Sequence, residues 1–140
     1  MIEYKSGNIF DSKCQTLVNP VNCVGVMGAG LAKQFRDRYP DINVPYRKTC
    51  SHNELRIGSP WLFSFPEINI LCFPTKLPWK DPSKLEYIEA GLISFRNNDQ
   101  HPITSIAFPP LGTGLGSLPK QDVKQLMEHY LEDIDIPIEI

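Results

Sequence analysis

The chain has 140 residues, 41% of them hydrophobic and 21% charged, with a formal net charge of -2. These proportions fit a single globular domain spanning residues 1–140 and exclude a disordered chain, a coiled coil or a collagen-like fibre. No apolar run approaches the roughly 20 residues needed to cross a bilayer, and the opening MIEYKSGNIF lacks a signal-peptide core, so a cytoplasmic protein without membrane association is expected.

Strand-like apolar segments are predicted at residues 2–5 and 16–19. A helix over 30–39 follows, with Leu31 and Phe35 on one face and Pro40 as its stop. Further strands are expected at 61–65 and 69–73. Ser83 is placed to cap the next helix, with Glu86 as its box partner and Leu85, Ile88, Leu92 and Phe95 as its inward stripe. A strand at 105–108 leads to a helix that starts after Pro119 and turns Val123, Leu126, Met127, Tyr130 and Leu131 inward; a last strand covers 136–140. The prolines, including Pro20, Pro40, Pro66, Pro74, Pro78, Pro109, Pro110 and Pro119, are read as punctuation at element ends. Several strands are continuous apolar runs, which implies cover on both faces. Alternation of strand and helix makes this a layered α/β domain with a mostly parallel sheet.

Cys14, Cys23, Cys50 and Cys72 are scattered, and His52, His101 and His129 stand alone. Without close Cys/Cys or Cys/His pairs, no metal site is expected, and the cysteines read as reduced thiols of an intracellular protein. Residues 1–120 carry 13 Lys/Arg against 10 Asp/Glu, while residues 121–140 carry 1 against 6. A mildly basic body suits an anionic ligand but not a protein that grips a duplex along its phosphates.

In such a sheet, ligands sit at the carboxyl ends of the strands, and two strand ends carry small-residue loops that run into helices. The first reads Asn19-Pro-Val-Asn22, then Cys23-Val-Gly-Val-Met-Gly-Ala-Gly30. The second reads Pro109-Pro-Leu-Gly-Thr-Gly-Leu-Gly116. Glycine lets backbone N–H groups approach a phosphate, and a helix start adds positive potential. Either loop alone could be an ordinary turn; facing each other, the two would hold a diphosphate. Neither contains GxxxxGK[ST] or GxGxxG, so Walker-type phosphoryl transfer and hydride transfer are poorly supported.

Together, Asn19-Pro-Val-Asn22, the helix start Gly28-Ala-Gly-Leu-Ala-Lys-Gln-Phe35, Phe73-Pro-Thr-Lys76 and Pro110-Leu-Gly-Thr-Gly-Leu-Gly116 resemble a macrodomain. The resemblance is to the branch that contains the antitoxin DarG, a DNA ADP-ribosyl glycohydrolase, and terminal ADP-ribose protein glycohydrolase. It implies a three-layer α-β-α fold with a mixed, mostly parallel central sheet.

By this resemblance, ADP-ribose crosses the carboxyl edge of the sheet. Gly28, Ala29, Gly30 and Leu31 would supply amides on one side of the diphosphate, and Gly112, Thr113, Gly114, Leu115 and Gly116 on the other. Pro110, Leu111, Thr75 and Ile9 join the same site. Asn8 stands where many macrodomains have an Asp for the adenine amino group, so adenine recognition would lose charge assistance. Asn19 and Asn22 would hold ribose hydroxyls or the linked base, or serve only a strand end and a turn. Lys76 matches the branch's catalytic lysine, with Lys80 and Lys84 as solvated rivals. It would act on the N-glycosidic bond as an ammonium acid or as an attacking amine. Gly116 replaces the Asp with which the terminal glycohydrolase assists ester cleavage.

The basic residues Lys33, Arg36, Arg38, Arg47 and Lys48 offer a track for single-stranded DNA, with Trp79 or Tyr46 to stack on, or simply a solvated helix face. The implied function is release of ADP-ribose from thymidine bases of single-stranded DNA, by a monomer that needs no cofactor. The expected partners are ADP-ribose, ADP-ribosylated DNA and a cognate ADP-ribosyltransferase toxin. A non-catalytic ADP-ribose reader, a hydrolase of protein-linked ADP-ribose and an ADP-ribose 1''-phosphate phosphatase are the alternatives.

Overall fold

A computed structural model describes residues 2–78, 81–97, 103–114 and 116–140. Trp79, Lys80, His101 and Leu115, singled out above, lie outside the described residues. The elements in chain order are β1 (Ile2–Glu3), β2 (Thr16–Asn22), α1 (Gly30–Arg38), α2 (Asn43–Ser51), β3 (Trp61–Ser64), β4 (Asn69–Lys76), α3 (Leu85–Asn97), β5 (Ile106–Ala107), α4 (Lys120–Leu131) and β6 (Ile138–Glu139). Short 3-10 turns occupy Ile9–Asp11 and Pro40–Ile42.

The six strands form one sheet in the order β1-β6-β5-β2-β4-β3. All pairings are parallel except β3 with β4. Strand alternation divides the apolar residues between two faces. Leu17, Val21, Ile70, Cys72 and Ala107 pack with Phe35 of α1 and Tyr46 of α2. Val18, Leu71, Phe73 and Ile106 pack with Ile88 and Leu92 of α3 and Val123, Met127 and Leu131 of α4. The sheet is therefore sandwiched between two helical layers, as the continuous apolar strands require.

Three local expectations are corrected. Pro20 and Pro74 lie inside β2 and β4, not at their ends. The register explains this: β5 pairs with β2 only through Leu17, and β3 pairs with β4 only through Cys72. Beyond those points each strand has a partner on one side only, so a proline can leave its missing N–H on the unpaired side. Second, Ser83 does not cap α3. Its N–H donates to the Gly116 carbonyl at 3.1 Å, and its buried hydroxyl has no partner among the described residues. Third, Leu85, expected on the inward stripe of α3, is exposed at the start of the helix, whereas Ile88 and Leu92 are buried. Helix α2, which no sequence pattern announces, has little apolar periodicity, with Tyr46 and Thr49 its buried residues. Pro45 sits in its first turn, where no N–H is needed.

Candidate active site

The outer ends of β2 and β4 continue as a two-stranded ribbon past their neighbours. The pairing shifts between Val21 and Asn22, so that Asn22 lies opposite Lys76. A bulge of this kind re-aims side chains next to it, and both Thr75 and Lys76 line a cleft of about 1020 Å3. The cleft is completed by Gly28, Ala29, Gly30 and Leu31 from the first glycine loop and by Pro110, Gly112, Thr113, Gly114 and Gly116 from the second. A neighbouring lobe of about 780 Å3 contains Asn8, Ile9 and Asp11 and shares Leu31, Pro109 and Pro110 with the first. The sequence-derived loops thus meet across one two-lobed cleft.

Both loops present backbone to that cleft. Ala29 gives α1 no side-chain cap, so the first-turn amides have no partner behind them and face an incoming acceptor. Gly30 and Gly112 hold φ of 60° and 71°, a left-handed conformation that costs glycine little. The second loop is braced by Leu118 N–H to Gly112 O at 2.9 Å and Ser117 N–H to Gly114 O at 3.1 Å.

The first loop is braced from within. Asn22 Oδ1 accepts from the N–H groups of Val24 (3.1 Å) and Val26 (3.4 Å), and its Nδ2 donates to the Val26 carbonyl at 2.7 Å. The Tyr46 hydroxyl donates to Asn22 Oδ1 at 2.8 Å and lies 2.9 Å from the Asn22 carbonyl oxygen. Burial holds the Tyr46 phenol far above its ordinary range, so it remains a donor. Met27 is buried and anchors the loop in the core.

Several site residues differ from expectation. Asn22 lines the cleft, but its amide is engaged in shaping the loop. Asn19 is fully buried and does not line the cleft. It pairs with Cys72 in mid-strand, and its Nδ2 faces Met27 Sδ and Cys72 Sγ at 3.7 and 3.8 Å. Leu111 is likewise buried in the core on the α3–α4 side. Asn8 uses its side-chain carbonyl to accept from Phe10 N–H at 2.9 Å, capping the first 3-10 turn. Tyr46 cannot stack on a base, because it is wholly inside. Of the basic stretch, Lys33 and Arg36 pair with Asp37 and Arg38 lies over the Phe10 ring. Neither the anchoring by Met27 nor the bracing role of Tyr46 is legible in the sequence; a lone aromatic between Pro45 and Arg47 carries no local sign of that role.

Electrostatically the larger lobe is simple. Lys76 is the one charged side chain among the described residues that line it, and it enters no ion pair among them. Beneath the first loop, burial, helped by the neighbouring Cys50, pushes the Cys23 thiol up to about 11. Burial also raises the thiols of Cys50 and Cys72. These thiols add no charge next to the lobe at pH 7, so the lysine and the loop amides define a site for an anion.

The sequence model of the Macro domain family matches residues 18–127. A Mycobacterium tuberculosis protein named "DNA ADP-ribosyl glycohydrolase" is 43% identical over 146 residues, covering 99% of this chain and 42% of that protein. The macrodomain of M. tuberculosis DarG superposes with a TM-score of 0.92 at 41% identity, covering 99% of this chain and 97% of that one. A Thermosipho africanus relative, named as a fusion of DNA ADP-ribosyl transferase and DNA ADP-ribosyl glycohydrolase, is 37% identical over 96% of this chain and 40% of its own length. The structure of T. africanus DarTG in complex with ADP-ribose has a TM-score of 0.95 at 37% identity over 99% of this chain and 40% of that one. The chain thus spans about two-fifths of the length of these two curated relatives. Cleft, loops and sequence agree, and the chain belongs to the Macro domain family.

Proposed function

We propose that this macrodomain removes ADP-ribose from DNA, cleaving the N-glycosidic bond between the distal ribose and a thymine base in a single strand. The observation that carries the reading is Lys76, the one charged side chain among the described residues lining a lobe otherwise built of small residues and backbone amides. With the diphosphate between the two glycine loops and adenosine toward Asn8 and Ile9, the distal ribose falls toward Thr75 and Lys76. The names of the relatives and the ADP-ribose complex of the Thermosipho protein support the glycohydrolase reading. A DNA-directed ADP-ribosyltransferase is then the partner whose product is erased, and the cytoplasm, where bacterial DNA lies, is the compartment.

Cleavage expels a resonance-stabilised imide anion from an oxocarbenium-like carbon. Lys76 serves that departure as an ammonium that gives its proton to the ring nitrogen while water adds to the anomeric carbon, or as an amine that attacks that carbon as the base leaves and is then released by water. Borohydride trapping separates the two, since only attack leaves ADP-ribose bonded to the lysine.

Lys76→Ala is expected to bind ADP-ribose within a few-fold of wild type and to lose at least about 100-fold in release from ADP-ribosylated single-stranded DNA, the scale of acid–base or nucleophilic assistance. Unchanged release would overturn the role of the lysine. Parallel incubations with glutamate-modified protein and ADP-ribose 1''-phosphate test the substrate; preferential turnover of either would overturn the DNA assignment.

A further inference from the structure

The proposed reaction leaves open where the departing base lies, and the rim of the cleft next to Lys76 has an unusual composition. Val24, Val26 and Leu77 are 51%, 44% and 46% exposed. They are three of the eight exposed large hydrophobic residues among those described, and the other five are Tyr4, Val44, Trp61, Leu85 and Ile93. Exposed apolar residues scattered singly need no explanation, but a cluster beside a site does.

The chain brings the three together. Leu77 follows Lys76, and Val24 and Val26 follow Asn22, the residue paired with Lys76. The Cys23 N–H donates to the Leu77 carbonyl at 2.9 Å, tying the two segments side by side. Neither segment is loose: Asn22 holds the N–H groups of Val24 and Val26, and Met27 is buried just beyond them. The three exposed apolar residues thus sit on one tied pair of segments, a ledge that adjoins the lysine proposed to act on the glycosidic bond.

A cation lies alongside. The Cβ position of Gly25, between Val24 and Val26, is 3.0 Å from Arg47 Cγ, so the Arg47 stem passes against the loop. Arg47 is exposed and enters no ion pair among the described residues, whereas Lys33, Arg36 and Arg38 of α1 are engaged with Asp37 and Phe10. An apolar ledge with the stem of an exposed arginine packed against its backbone suits a heterocyclic base with its neighbouring phosphodiester.

We infer that Val24, Val26 and Leu77 form the surface on which the ADP-ribosylated base lies, and that Arg47 holds the adjoining phosphate of the strand. This rests on the glycohydrolase reading and adds the part of the site that selects a nucleobase.

Val24 and Leu77 lie outside the lining of the ADP-ribose lobe, so Val24→Ser combined with Leu77→Ser tests the ledge, and Arg47→Gln tests the phosphate contact. Three quantities are measured for each: kcat/KM on an ADP-ribosylated single-stranded oligonucleotide, kcat/KM on ADP-ribosylated thymidine nucleoside, and calorimetric affinity for free ADP-ribose. The double variant is expected to lose about tenfold on both substrates, the scale of two partly lost apolar contacts. Arg47→Gln is expected to lose about tenfold on the oligonucleotide alone, the scale of one charge-assisted hydrogen bond. ADP-ribose affinity should stay within about twofold in both, as none of Val24, Leu77 and Arg47 lines the ADP-ribose lobe, in contrast to Val26. Wild-type turnover matched by the double variant, or a parallel fall in ADP-ribose affinity, would overturn the ledge alone. Equal loss on nucleoside and oligonucleotide would overturn the role of Arg47. Wild-type protein that leaves both DNA substrates intact would overturn the glycohydrolase reading and the ledge with it.

Discussion

Gly116 has no room for a side chain. A Cβ there would lie 2.3 Å from Ser83 Oγ and 2.5 Å from the Gly112 carbonyl oxygen. The backbone cannot back away, because Gly116 O accepts from Ser83 N–H at 3.1 Å and Gly112 O from Leu118 N–H at 2.9 Å. A carboxylate placed at this position would therefore push the second glycine loop out of shape instead of assisting catalysis. Gly116→Asp is expected to lose about 1–3 kcal/mol of stability, the usual cost of overpacking, and to bind ADP-ribose more weakly. Urea unfolding and calorimetry check this; a variant of wild-type stability with new activity on glutamate-linked ADP-ribose would contradict it. At the same scale, the two asparagines of the first motif part ways. Asn19 and Asn22 are three residues apart on one strand, and only packing sends the first under Met27 and lets the second shape the loop from the cleft wall.

Among the elements, β4 delivers the lysine and α3 holds β4 in place. Phe73 is fully buried between Gly91 of α3 and the edge of Phe108, whose ring centroid is 6.4 Å away. A Cβ on Gly91 would lie 2.3 Å from Phe73 Cζ and 2.6 Å from Cε1. Alanine is favoured over glycine in a helix by about 1 kcal/mol, but overpacking a core costs about 1–3 kcal/mol. The clash should win here because the ring has buried neighbours on both sides. Gly91→Ala is thus expected to lower the urea midpoint, and a raised midpoint would show that the helix slides freely over the strand. The stripe of α3 at Ile88 and Leu92 could be read from helical spacing, whereas Gly91 as the seat of an aromatic ring could not, since the ring comes from another element. Helix α2 was illegible for the same reason: Tyr46 and Thr49 are its only buried residues, and what they bury against lies elsewhere in the chain.

Taken whole, the molecule offers a two-lobed cleft whose halves meet at Leu31, Pro109 and Pro110. A ligand that fills both should bind better than one that fills either. ADP-ribose is expected to bind at least about tenfold more tightly than AMP, and at about 100 times its Kd to stabilise the fold by about 2.7 kcal/mol. Calorimetry and thermal unfolding measure both, and AMP binding equal to ADP-ribose binding would remove the larger lobe from the site. Legible from the sequence alone are the alternation of strands and helices, the double cover of the sheet and the two glycine loops, and also the motif that carries Lys76, although the lysine proves to be the last residue of β4 and not part of the turn after it. These follow from periodicity, from glycine at helix starts and from short contiguous motifs, all local properties. The tertiary structure decided that Asn19 and Leu111 turn inward, that Tyr46 is a brace and not a stacking surface, and that Pro20 and Pro74 are strand residues. It also decided that the Val24–Val26 segment is tied to Leu77 and has the Arg47 stem against it. Each of these depends on which strand ends first and which side chain fills the space beneath a loop, and such facts exist only once distant segments are packed together.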